Sequence, residues 1–142
     1  MAKDAGAITL FDSTFAPPPI QSACALGADL VAHSATKFFG GHSDLLAGVV
    51  AGPHHLLGPI EMFRRRTGGV LAPDPAWLLQ RSWPTLQLRL AAQQQGALAL
   101  AEGLVGLRDR GKVVAVTYPG LDDHPDSELY RRQMTSGGAL VA

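Results

Sequence analysis

Two short, almost uninterrupted apolar runs constrain this chain more than any other feature. Ala7–Phe11 reads Ala-Ile-Thr-Leu-Phe and ends at Asp12, and Asp29–His33 resumes the pattern after a segment holding Pro17, Pro18, Pro19 and Gly27. Continuous apolar runs of this length are the mark of strands buried on both faces. The prolines can open a helix but not sit inside one, so Ile20–Leu26 is expected to form a short helix closed by Gly27. Strand, helix and strand in so short a stretch predict an α/β fold: a parallel or mixed sheet with helices covering it.

The rest of the chain extends that pattern. After the second run come Ser34-Ala35-Thr36-Lys37, Phe38-Phe39 and the turn-forming pair Gly40-Gly41, then a third buried run at Ala47–Ala51. Beyond Pro53 the character changes to helices, at His54–Arg66, Pro75–Ser82 and one long element from Pro84 to about Asp109. In the last, Leu86, Leu90, Ala97, Leu100, Leu104 and Leu107 recur at spacings that share one face. Gly96, Gly103 and Gly106 each weaken it by about 1 kcal/mol relative to alanine. Lys112–Tyr118 is a strand candidate stopped by Pro119-Gly120, Ser127–Met134 a short helix, and Gly138–Ala142 a further strand. A strand reached at the final residue leads to the expectation that the chain stops before its fold does.

Composition narrows the classes of function. With 46% hydrophobic and 17% charged residues the chain is globular, and 142 residues can bury one core. Twelve basic residues balance twelve acidic ones, so no nucleic-acid or membrane-surface partner is indicated. No apolar run approaches the roughly 20 residues that span a bilayer. The first residues show no basic stretch leading into an apolar one, so no secretory signal is expected, and Cys24 reads as a buried structural thiol in a reducing, cytoplasmic setting.

Candidate chemistry lies where the apolar strand delivers Ser34, Thr36 and Lys37 to its C-terminal end, the usual ligand edge of an open α/β sheet. In an extended segment Ser34 and Thr36 point to one side, so both hydroxyls can reach one phosphate. Lys37 then offers an amine beside it, able to attack an aldehyde if unprotonated. Asp12, expected as a buried acid at the end of the preceding strand, can hold the proton of a pyridine nitrogen.

Around these residues the sequence resembles the Cys/Met-metabolism (trans-sulfuration) family of pyridoxal-phosphate enzymes. The likeness is carried by Asp29-Leu30, Ser34-Ala35-Thr36-Lys37-Phe38-Phe39 and Gly41-His42-Ser43, with Phe11-Asp12-Ser13-Thr14-Phe15 upstream. It continues through Ser43-Asp44, Ala47-Gly48, Trp77-Leu78-Leu79, Arg81, Thr85-Leu86, Leu88-Arg89, Tyr118-Pro119-Gly120-Leu121, His124-Pro125 and Gln133-Met134. The resemblance implies that pyridoxal 5'-phosphate is the cofactor, that Lys37 is its Schiff-base lysine and catalytic proton shuttle, and that Asp12 pairs with the ring nitrogen. Ser34 and Thr36 would bind the cofactor phosphate. It further implies β- or γ-elimination, or γ-replacement, on a sulfur amino acid or activated homoserine, in a homodimer or homotetramer.

By the same resemblance, residues 1–72 are the C-terminal part of a fold-type I cofactor-binding large domain with a mostly parallel sheet. Residues 73–142 are linking helices and the start of a smaller C-terminal α+β domain, both parts incomplete. Ser13 stands where the family usually has asparagine, and Ser82-Trp83-Pro84 where it has glycine, an aliphatic residue and lysine. The phosphate loop and stacking aromatic expected upstream, and the arginine expected downstream for a substrate carboxylate, have no counterpart here; Arg89, Arg131 and Arg132 are not assigned that job.

Rival patterns fail on their own terms. Ser34-x-x-Lys37 lacks the Ser-x-Asn and Lys-Thr-Gly elements and the helical serine of penicillin-binding enzymes, and a nucleotide phosphate loop needs its glycines before the lysine. The five histidines, His33, His42, His54, His55 and His124, show no metal-ligand spacing, so no metal is expected. His42 fits either the turn after Lys37 or a cofactor contact, and Arg64-Arg65-Arg66 a solvated helix end or an oligomer interface. The alternative of another class is a truncated, non-catalytic remnant that keeps the ancestry without the activity.

Overall fold

The computed structural model describes residues 2–142, and its contacts divide the chain into two compact units. The first takes the chain up to Thr14 together with Ala23–Pro84; the second takes Phe15–Ser22 together with Thr85–Ala142.

The first unit holds a three-stranded sheet of β1 (Leu10–Asp12), β2 (Leu30–Ser34) and β3 (Gly48–Ala51), in that order. β1 runs parallel to β2, with Asp12 opposite Ala32, and β3 is antiparallel to β2, with Gly48 opposite Ser34. The sheet is therefore mixed. Two helices follow, α1 (His54–Thr67) and α2 (Pro73–Ser82), the second opened by a proline at its start.

Only the central strand behaves as its apolar sequence requires. Leu30, Val31 and His33 of β2 are buried, and Ala23, Ala35, Phe39 and Leu45 join the core. β1 is exposed along its length and β3 is exposed or half-buried, against the expectation of burial on both faces. Each of these strands has a described hydrogen-bonded neighbour on one side, and Leu10 and Phe11 stay about half exposed.

The helix expected over Ile20–Leu26 is absent, replaced by two tight turns. The Ile20 carbonyl accepts the Thr135 amide at 2.8 Å rather than serving a helical partner at residue 24, while Gly27 N–H closes a turn on Cys24 O at 3.0 Å. Cys24 lies in the second turn and is exposed, not buried as its apolar neighbours implied.

The second unit is built on α3 (Leu86–Arg108) and the short α4 (Ser127–Gln133). The buried stripe of α3 is Leu86, Leu90, Ala97 and Ala101; Leu100 and Leu107, expected on that face, are exposed. Tyr118 packs with Ala97 and Ala101, joined by Val116, Leu121 and Val141, and its hydroxyl donates to Gly138 O at 3.0 Å. A Cβ at Gly137 would stand 2.7 Å from both the Tyr118 ring and Gly120 N, which is why glycine is required there.

Residues 112–118 and 138–142, read as strands, form no regular strand. Thr117 and Ala142 exchange both backbone hydrogen bonds, a single rung rather than a ladder.

Candidate functional site

The parallel pairing of β1 with β2 carries both strands to C-terminal ends on the same side of the sheet, and the candidate residues sit at those two ends. Ser13 extends the pairing by one bond, its N–H donating to Ala32 O at 2.9 Å.

Asp12 is exposed, so the expectation of a buried acid does not hold, yet its carboxylate is firmly held. Oδ1 accepts the Thr14 amide at 2.9 Å and the Thr14 hydroxyl at 2.6 Å. The Thr14 hydroxyl, then its amide, keep the carboxyl below the ordinary carboxylate pKa, with a smaller contribution in the same direction from His33. Thr14 Oγ1 in turn accepts the Ser34 amide at 2.7 Å. One hydroxyl thus joins the acid ending β1 to the residue ending β2.

His33, buried beneath these ends, places Nδ1 3.1 Å from Ser13 O. Burial lowers its pKa, opposed by the Ser13 bond and by the Asp12 charge. Its ring meets Phe39 edge-on at 4.8 Å, and Phe39 stacks on Trp83 at 4.8 Å. Trp83 therefore packs against the aromatic two residues beyond Lys37.

After Ser34 the chain leaves the strand. Lys37 N–H donates to Ser34 O at 3.1 Å, Gly40 N–H to Ala35 O at 2.7 Å and Gly41 N–H to Lys37 O at 2.7 Å, a compact turn. The extended alternation that would align Ser34 with Thr36 ends at Ser34, so the simple two-residue argument for their common side does not apply. Thr36 Oγ1 accepts the Ala47 amide at 3.1 Å and lies 3.4 Å from Ala47 O. Lys37 is exposed.

Glycine is required at position 40, where a Cβ would come within 2.9 Å of Ala35 O and 3.1 Å of Leu45. His42 Nδ1 is 2.7 Å from Gly40 O, a bond that braces this turn.

The set at the two strand ends is chemically suited to an aldehyde-bearing pyridine with a phosphate tail. A carboxylate held ionised, with Oδ1 already committed and Oδ2 left for a ring nitrogen, can keep that nitrogen protonated. Hydroxyls at Ser34 and Thr36 can donate to phosphate, the Thr36 proton exchanging the long contact to Ala47 O for a stronger, charged acceptor. An exposed amine at Lys37 can attack the aldehyde. Thr14 was missed as a contributor; the signal was present in Asp12-Ser13-Thr14, since an aspartate readily accepts the amide of the residue two positions on.

The remaining candidates lie elsewhere. Arg131 pairs with Asp122 at 2.9 Å and Arg89 Nε donates to Thr85 Oγ1 at 3.0 Å. Among the described residues no His, Cys, Asp and Glu cluster could hold a metal, and no helix is long and apolar enough to cross a membrane.

Comparison with known proteins identifies the family and the fold. The family model described as "Cys/Met metabolism PLP-dependent enzyme" matches residues 1–142. The chain is 45% identical to the chloroplastic cystathionine gamma-synthase 1 of Nicotiana tabacum, over all of this chain and 26% of that protein. It is 43% identical to a cystathionine beta-lyase of Lactococcus lactis subsp. cremoris, over all of this chain and 37% of that one.

Among solved structures, cystathionine gamma synthase from Xanthomonas oryzae pv. oryzae, in complex with aminoacrylate and cysteine, superimposes with a TM-score of 0.92 at 38% identity. The match covers 99% of this chain and 36% of that one. The chain thus spans between about a quarter and somewhat over a third of these relatives.

Proposed function

The chain belongs to the Cys/Met metabolism family of pyridoxal-phosphate-dependent enzymes, and from that premise we propose that it carries the cofactor lysine, Lys37, of a trans-sulfuration enzyme. The reaction class is β- or γ-elimination, or γ-replacement, on a sulfur amino acid or activated homoserine. One observation carries this reading above the others: Thr14 joins the Asp12 carboxylate to the amide of Ser34, so the candidate acid and the turn bearing the candidate lysine share one hydrogen-bonded frame.

Each residue has a defined task. Asp12 holds the proton on the ring nitrogen, Ser34 and Thr36 bind the phosphate, and Lys37 attaches the cofactor and then moves a proton at the substrate's reacting carbons. When bound, pyridoxal phosphate supplies the electron sink that side chains lack. In the whole enzyme, residues 1–72 complete the large domain and residues 73–142 lead into the smaller one. The assembly is a cytoplasmic homodimer or homotetramer taking a small amino-acid substrate, with no nucleic acid and no membrane partner.

A second reading, a non-catalytic remnant, is favoured by the large apolar side chains left at the surface, Leu46, Phe63 and Trp77 among them. Trapping separates attachment from turnover. The chain has three lysines, Lys3, Lys37 and Lys112. Incubation with pyridoxal phosphate, borohydride reduction and peptide mass spectrometry should place the adduct on Lys37 and lose it in Lys37→Ala. An adduct on Lys3 or Lys112, or equal yield in Lys37→Ala, overturns the assignment. Attachment at Lys37 without elimination activity supports the second reading.

A further inference from the structure

We propose that Thr14 is the positioning residue of this site, fixing which oxygen of Asp12 meets the cofactor ring and tying that acid to the strand end that carries Ser34. The inference deepens the function proposed above and rests on it for the identity of the ring.

The direction of the relay follows from counting protons. A threonine hydroxyl has one proton to donate. Thr14 Oγ1 already accepts the Ser34 amide at 2.7 Å, and its own proton lies along the 2.6 Å contact to Asp12 Oδ1. With the Thr14 amide also on Oδ1, that oxygen takes two donors and is a poor place for a proton. Oδ2 remains as the oxygen for a ring N–H. The lowered Asp12 pKa, caused first by the Thr14 hydroxyl, agrees with this geometry. Thr14 is 8% exposed, so water does not readily substitute for its hydroxyl.

The test titrates the Asp12 carboxyl carbon by NMR in the 142-residue chain, with His33, whose charge also acts on Asp12, followed separately. Thr14→Val should raise the Asp12 midpoint toward the ordinary carboxylate value, Thr14→Ser should restore it, and Thr9→Val, at the other end of β1, should leave it in place. In the unmutated chain the Ser34 amide resonance should move with the Asp12 titration. An Asp12 midpoint unchanged in folded Thr14→Val overturns the proposal. If that variant does not fold, Thr14→Ser and the Ser34 amide decide, and a Ser34 amide indifferent to Asp12 overturns it.

A second arm adds pyridoxal phosphate and reads the dissociation constant from its absorption spectrum. Thr14→Val should bind about tenfold or more weakly, the effect of losing a hydrogen bond to a charged group, with any borohydride adduct still on Lys37. Unmutated chain that is not trapped at Lys37 sinks the proposed function, while the cofactor-free Asp12 titration still judges Thr14.

Discussion

Both ends of the β1·β2 pair are fastened by an aspartate that accepts a threonine's amide and hydroxyl, but the two fastenings differ in what the hydroxyl accepts in return. At the start of the pair, Asp29 Oδ2 takes the Thr9 amide and hydroxyl, each at 2.8 Å, and Thr9 Oγ1 accepts the amide of Asp29 itself at 3.1 Å. The loop is closed between two residues. At the other end, Asp12 takes the same two groups from Thr14, while Thr14 Oγ1 accepts from a third residue, Ser34. Closed, the motif registers strands. Open, it also couples an acid to the strand end where the candidate phosphate hydroxyls and lysine begin.

Several substitutions probe this difference, and the largest effect comes from removing what both fastenings hold. Leu30, buried on β2, should cost about 2–5 kcal/mol as Leu30→Ala in denaturant unfolding, with amide exchange rising at both ends of the strand pair. A loss confined to one end would show that the two fastenings do not grip a common unit.

Next come Thr9→Val and Thr14→Val, each of which strips one backbone amide, that of Asp29 or Ser34, of its acceptor. Each should cost about 1–3 kcal/mol, with similar losses of stability. Thr14→Val alone should disturb the Asp12 titration; equal disturbance by Thr9→Val would erase the distinction.

A pH dependence should mark the open end. Burial lowers the folded-state pKa of His33 below its ordinary 6.5, so the unfolded chain binds that proton more readily. The stability contribution is full above about 6.5 and is lost as pH falls through that value toward the folded one. His33→Gln should flatten this part of the stability profile; an unchanged slope would assign it to another group.

The smallest effects belong to Thr9→Ser and Thr14→Ser, which keep the hydroxyl and delete a methyl, about 0.8 kcal/mol or less. A larger loss would mean that the methyl groups, not the hydrogen bonds, hold the ends together.

Much of the sheet unit was legible because period and punctuation survive locally: the apolar runs ending at Asp12 and His33 became β1 and β2, and Gly40-Gly41 marked a true turn. Burial was not legible. An apolar run records the environment a strand was selected for, and Leu10 and Phe11 keep that composition where this chain leaves them exposed.

The failed helix at Ile20–Leu26 was decided by a partner more than a hundred residues away, Thr135, which no local pattern reveals. The strands expected at 112–118 and 138–142 needed a ladder of neighbours that propensity cannot supply. Within the candidate site, Asp12, Ser34, Thr36 and Lys37 are proposed from residue type and order. The role of Thr14 required knowing that its hydroxyl accepts from the neighbouring strand.

The most direct measurement is a crystal structure of the chain grown with pyridoxal phosphate. The cofactor should be covalently joined to Lys37, with its ring nitrogen hydrogen-bonded to Asp12 and its phosphate at Ser34 and Thr36. A cofactor attached to Lys3 or Lys112, or joined to Lys37 with its ring nitrogen away from Asp12, would contradict the joining of the two strand ends into one site.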